Sequence, residues 1–123
     1  DYRGLGRIRL ESVQNAIDQS ETVAANIAGQ EQPYRPNPWF WSDQYDVKLQ
    51  IAGLSAGYDR LVVREAGATR SHWYYKGDTL LALDAMNDSR AYMVGKRLIE
   101  AGKSPDPAVI ADASADLKPL LKA

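Results

Sequence analysis

The chain has no cysteine and a single histidine, His72, in 123 residues. Without thiols it forms no disulfide, holds no zinc or iron–sulfur cluster through sulfur, and offers no cysteine nucleophile; one imidazole leaves a protein-only metal site short of its commonest ligand. Neither sign of charge is in excess, since 15 Lys and Arg face 16 Asp and Glu for a formal net charge of −1. That balance lacks the basic footprint of a general nucleic-acid binder. No apolar run approaches the roughly 18 residues of a membrane span, and the opening DYRGLGRIRL lacks the apolar core of a signal peptide. The expectation is a soluble, cytoplasmic chain with no nucleic-acid and no membrane partner. Its length suits one domain that buries about two-thirds of its unfolded surface, which excludes a multi-domain enzyme within these residues.

What is present is periodic. Val13, Ala16, Ile17, Ser20, Val23, Ala24 and Ile27 recur at steps of three and four, one stripe of a helix, with Ser12 placed to cap it and Gly29 to end it. A helix is expected over residues 12–28. Upstream, Arg7-Ile8-Arg9-Leu10 alternates and predicts a short strand. The stretch from Gly29 to Pro38, GQEQPYRPNP, holds three prolines and reads as an extended connection. Beyond it, Tyr45, Val47, Leu49 and Ile51 alternate with polar residues, as in a strand with one buried face. Further strand-like runs at Arg60–Arg64, Ser71–Tyr75 and Thr79–Leu83 follow short turns, which together predict a four-strand antiparallel meander. Asp88 or Ser89 should cap a second helix carrying Tyr92, Met93, Val94, Leu98 and Ile99 and ended by Gly102, with short helical turns at 108–111 and 117–121. The expected class is α+β: an antiparallel β-meander sheet with helices on one face, preceded by a helix.

Gly53-Leu54-Ser55-Ala56-Gly57 matches G-x-S-x-G, with Asp59 and His72 following in serine-hydrolase order. A nucleophile elbow needs a helix after the serine, whereas Leu61-Val62-Val63 is strand-like, so the segment reads as a hairpin connection and a Ser55 hydrolase is the least favoured function. Gly102-Lys103-Ser104 lacks the upstream glycine of a phosphate-binding loop, because Arg97 stands there. His72 reads as a solvent-facing or edge residue, and Asp43, Asp46, Asp59, Asp84 and Asp88 as turn and cap residues. The density of Pro38-Trp39-Phe40-Trp41-Ser42-Asp43-Gln44-Tyr45 leaves two readings, aromatic packing or a platform for a planar ligand. The free N–H groups of a helix starting at Ser12 add a site for an electron-rich carbonyl or anion, which together with an aromatic wall suits an isoalloxazine.

Arg9-Leu10-Glu11-Ser12-Val13-Gln14-Asn15-Ala16 and the octet beginning at Pro38 resemble paired signatures of FAD-dependent NAD(P)H:ferredoxin reductases. Leu49–Leu54, Gly57-Tyr58-Asp59, Val62-Val63-Arg64, Ala85-Met86-Asn87 and Met93-Val94-Gly95 extend the likeness along the chain. The resemblance implies that residues 1–29 are the tail of an FAD-binding domain, 30–38 a linker and 39–123 the reductase C-terminal domain. The intact protein would pass electrons from NAD(P)H through FAD to a [2Fe-2S] ferredoxin serving an oxygenase such as a cytochrome P450. The 123-residue piece alone would be inactive and would not retain FAD. By the same resemblance the backbone of Glu11, Ser12 and Val13 approaches the flavin pyrimidine edge, Phe40 and Trp41 wall the isoalloxazine, and Trp41 stands near the electron exit. No catalytic residue and no metal ligand are assigned. Where relatives commonly have Asn-Arg-Pro the chain has Asn87-Asp88-Ser89, and where some have Lys it has Gln50, so positive charge toward an acidic ferredoxin falls to Arg90, Lys96 and Arg97. The alternative is an interaction or homodimerisation module without redox role, using the same aromatic cluster.

Overall fold

A computed structural model describes residues 4–122. The chain divides into two units, Asp1–Trp39 and Phe40–Ala123.

The first unit is built on α1 (Val13–Ile27), one residue shorter at each end than its periodicity predicts. Ser12 Oγ accepts the backbone N–H of Asn15 at 3.1 Å, the expected cap. At the other end Gly29, at φ 95°, lets its N–H reach Asn26 O while Gln30 N–H reaches Ala25 O, the two reversed bonds that close a helix. The strand expected at residues 7–10 does not form. Four alternating residues specify a strand only when a neighbour completes the ladder, and among the described residues this unit has no other strand. The connection to Pro38 is irregular, as its prolines require.

The second unit is a five-stranded antiparallel sheet of β1 (Trp39–Gln44), β2 (Val47–Gly53), β3 (Arg60–Ala66), β4 (Thr69–Lys76) and β5 (Thr79–Met86), in the order β1-β2-β5-β4-β3. The α+β class stands, but the simple four-strand meander is corrected in two ways. The first expected strand is a hairpin, β1 and β2, turning at Tyr45-Asp46 with Tyr45 at φ 58°. Only β3, β4 and β5 form a meander, because β2 pairs with β5 and not with β3. The segment holding Ser55 is therefore not a hairpin loop. It crosses three strand spacings, roughly 14 Å, which six residues reach easily. The gain from this order is burial, since it sets Ala52 opposite Leu83, and both lie in the core.

Alternation in β4 sends Ser71, Trp73 and Tyr75 inward and His72 and Tyr74 to the other face. Trp73, flanked by Val62 and Leu83 on the neighbouring strands, is fully buried. Over this face lies α2 (Ser89–Glu100), capped by Asp88, which buries Ala91, Tyr92, Val94, Gly95, Leu98 and Ile99. Gly95 is needed there: a Cβ would stand 2.6 Å from Leu83 Cδ2 and 3.1 Å from the Trp73 ring. The tail, α3 (Pro107–Ala111) and a 3₁₀ turn (Lys118–Leu121), adds Ile110 and Leu117 to the same cluster. It is held by Arg64, which shares the inward face of β3 with Val62. The Arg64 guanidinium donates to the backbone oxygens of Ile110, Asp112, Ala113 and Ala115. Hydrogen bonds from Ser114, joined by the nearby Arg64, hold the Asp112 carboxyl below its usual range.

Candidate functional site

The residues singled out for a flavin fall in both units. In the first, Ser12 Oγ serves the Asn15 N–H, while the N–H groups of the opening turn have no acceptor within the helix. Val13 is exposed, and Glu11 is exposed and ion-paired with Arg9, a surface pair worth little by itself. In the second unit, Phe40 and Trp41 occupy the edge strand β1, each 41% exposed, with ring centroids 6.4 Å apart and planes tilted by 40°. At that separation the two rings are in tilted contact with each other while each keeps an exposed part. The contrast with Trp73 and Tyr75, both wholly out of water, is the informative point. Trp73 and Tyr75 are packed and Trp39 is half-buried, whereas Phe40 and Trp41 of β1 are left exposed.

The charged candidates lie on α2. Arg90 and Arg97 are seven residues apart and share an outward stripe with exposed Met93. Lys96 is drawn into an i,i+4 bridge with Glu100 at 2.5 Å, so its charge is partly spent within the helix.

The hydrolase-like residues do not assemble. Both Asp59 oxygens accept the Gly77 N–H, at 2.9 and 3.0 Å, and His72 Nε2 accepts from Arg70 Nε at 2.9 Å. Ser55 leads, through its turn, into β3 and not into a helix. Gly102, at φ 67°, ends α2 through Lys103 N–H to Leu98 O, and Ser104 Oγ accepts the Leu80 N–H. Both motifs are structural. Among the described residues no group of three or more His, Asp or Glu side chains is placed to hold a metal ion.

Two polar features escaped the sequence reading. Arg64 is one, although its parity with Val62 on β3 marks it as inward-facing. The other is on the opposite face of the sheet, where Tyr74 Oη donates to Asp84 Oδ2 at 2.7 Å and Tyr58 packs edge-on against Tyr74, centroids 5.0 Å apart. Burial first, then the hydrogen bond and charge of Asp84, push the Tyr74 phenol up to about 12. A raised phenol favours the folded state below the ordinary value near 10, and that contribution disappears as pH rises from about 10 through 12. The phenolate absorbance lost in Tyr74→Phe should therefore belong to a group titrating near pH 12; a midpoint near 10 would remove any role for Asp84.

The fold is thus a two-layer α+β domain: an open antiparallel sheet, one capped helix and a clamped tail covering one face, and exposed aromatics on the edge strand. Residues 39–121 match the family model described as reductase C-terminal, and the chain belongs to that family. It is 49% identical over 102 residues to a ferredoxin–NAD(P)+ reductase of Sphingomonas sp., covering 81% of this chain and 25% of that protein. It is 38% identical over 118 residues to putidaredoxin reductase of Pseudomonas putida, covering 94% and 28%. Among solved structures, the ferredoxin reductase for the CYP199A2 system from Rhodopseudomonas palustris superposes with a TM-score of 0.85 at 43% identity, over 91% of this chain and 28% of that one. The covalent putidaredoxin reductase–putidaredoxin complex superposes at 0.84 and 37% identity, over 94% and 28%. The chain therefore spans between a quarter and three-tenths of the length of these relatives. No helix of the described residues is long and apolar enough to cross a membrane.

Proposed function

We propose that the chain is the C-terminal part of a cytoplasmic flavoprotein that takes electrons from NAD(P)H through FAD to a [2Fe-2S] ferredoxin serving an oxygenase. On this reading residues 1–29 complete the FAD-binding domain, 30–38 link, and 39–123 form the terminal domain. The observation that carries it is the exposure of Phe40 and Trp41 on an edge strand of a sheet that buries Trp73 and Tyr75 completely. The opening turn of α1 fits the same group, because its unpaired N–H donors suit a pyrimidine carbonyl. Bound FAD would supply the conversion of a two-electron donor into single-electron steps. The chain's own part is to present the donors of Ser12 and Val13 to the ring edge, exclude water with Phe40 and Trp41, and offer Arg90 and Arg97 to an acidic partner.

Held this way, the flavin gets one wall and one edge from these residues and no diphosphate cradle of the G-x-G-x-x-G kind. Purified 123-residue chain titrated with FAD should therefore show no stoichiometric complex after desalting and be inactive with NAD(P)H. A one-to-one yellow complex that survives gel filtration would contradict the division of labour.

A further inference from the structure

We propose that the tip of the β1–β2 hairpin is a further docking point for the electron acceptor, with Tyr45 as an anchor that takes a basic side chain of that partner; this rests on the reading of the chain as part of a ferredoxin reductase. Tyr45 is fully exposed, at 104%, and its backbone is left-handed, at φ 58°. A β-carbon makes that backbone region unfavourable, and glycine would turn the chain there without strain. A bare ring, in turn, forgoes the burial that makes aromatics stabilising. Neither feature helps the domain to fold, and strain of this kind gathers at clamps and recognition sites. The tip is also firmly mounted. Asn87 grips both main-chain groups of Lys48: the Lys48 N–H donates to Asn87 Oδ1 at 2.8 Å, and the Lys48 oxygen accepts the Asn87 N–H at 3.0 Å. The ladder between β2 and β5 begins only at Leu49, so residues 44–47 extend past its end. An exposed ring held in place in advance loses little freedom on binding.

The chemistry of the tip is opposite to that of α2. Asp43 and Asp46 flank Tyr45 in sequence, both are exposed, and among the described residues neither forms an ion pair. Lys48 is the one cation in residues 42–48, which leaves the tip acidic. Carboxylates beside an open ring attract an ammonium or guanidinium, by charge and through the face of the ring. Asn87, which holds the base of the tip, directly precedes the Asp88 cap of α2, so the tip and exposed Arg90 stand at the same end of the sheet. That end is therefore dipolar. It fits a partner whose acidic docking face carries a lysine or arginine at its margin, and two contacts of opposite sign fix the orientation of docking, which a uniformly basic surface does not.

The test uses the intact protein carrying this sequence and, as probe, the [2Fe-2S] ferredoxin that it reduces fastest in a panel that includes putidaredoxin. Tyr45→Ala and Asp43→Asn/Asp46→Asn should each raise the KM for that ferredoxin by about fivefold to tenfold, with kcat at saturating ferredoxin and flavin reduction by NAD(P)H unchanged. A uniformly basic docking surface requires the reverse for the double variant, a lower KM, because two repelling charges are removed. Tyr45→Gly separates recognition from packing: it should raise the urea midpoint of the 123-residue chain by relieving the left-handed backbone, and raise KM in the intact protein as Tyr45→Ala does. An unchanged or lower KM in any of these variants, or a lower urea midpoint for Tyr45→Gly, would overturn the docking point. An intact protein that reduces no ferredoxin of the panel would instead defeat the electron-transfer reading, and the inference with it.

Discussion

Arg64→Met should destabilise the sheet unit by about 3 kcal/mol or more and release the tail, the loss expected when a buried charge-assisted network is dismantled. Arg64 is 9% exposed and takes four main-chain oxygens between Ile110 and Ala115 as its partners. Among the described residues no carboxylate forms an ion pair with it, so its charge is met by carbonyl dipoles of the tail and by the more distant Asp112 carboxylate. Methionine fills much of the volume but leaves those carbonyls with water or with nothing. Since a domain of this size is stable by roughly 4–13 kcal/mol, the loss is a large fraction of the whole. Arg64→Lys should fall between, because an ammonium has three donors on a single atom and lacks the fork that reaches both ends of the turn. Urea unfolding gives the magnitude, and amide exchange at Ile110 and Leu117 tells whether the tail opens first. A loss below about 1 kcal/mol with the tail still protected would mean that apolar contacts of Ile110 and Leu117 hold it alone.

Gly53→Ala should be at least as damaging, by about 3 kcal/mol or by failure to fold, whereas Gly57→Ala in the same motif should lose only about 1–2 kcal/mol. Both glycines sit at positive φ, 76° and 83°. They differ in what surrounds them. A Cβ on Gly53 would stand 2.2 Å from Leu81 O and 3.0 Å from Ala82 Cα, which are backbone atoms of β5, so the two strands would have to part. Nothing lies within 4 Å of a Cβ on Gly57. Parting β2 from β5 also uncovers Ala52 against Leu83, the pairing that the strand order serves. Comparative denaturation of the two variants separates close approach from backbone conformation; equal losses would leave only the conformational term.

These two positions show what could be read from residues alone. Gly53 and Gly57 were visible as a motif, and the absence of a following helix was enough to set the serine chemistry aside. The reason for Gly53 was not visible, because it depends on β2 lying against β5, a pairing between strands that are not consecutive in sequence. Periodicity reports which face a residue occupies and says nothing about its neighbour across the sheet. The helices were legible because caps and spacing agree locally, at Ser12 and Gly29 and again at Asp88 and Gly102. The β1–β2 hairpin was hidden because Tyr45 takes the positive φ that glycine or asparagine would have advertised. Arg7–Leu10 had the alternation of a strand without a partner to pair with. Of the candidate site, Ser12 as a cap and the aromatic density of β1 were recognisable from the sequence, whereas the exposure of Phe40 and Trp41 and the diversion of Lys96 to Glu100 needed coordinates.

The proposal at the centre of this account is that Trp41, 41% exposed on β1, serves electron delivery. On that proposal, Trp41→Ala in the intact protein carrying this sequence should leave flavin reduction by NAD(P)H unchanged in stopped-flow absorbance and slow single-turnover reduction of the ferredoxin by about tenfold, the loss of about 1.4 kcal/mol of productive contact. Wild-type rates for both half-reactions would contradict the claim.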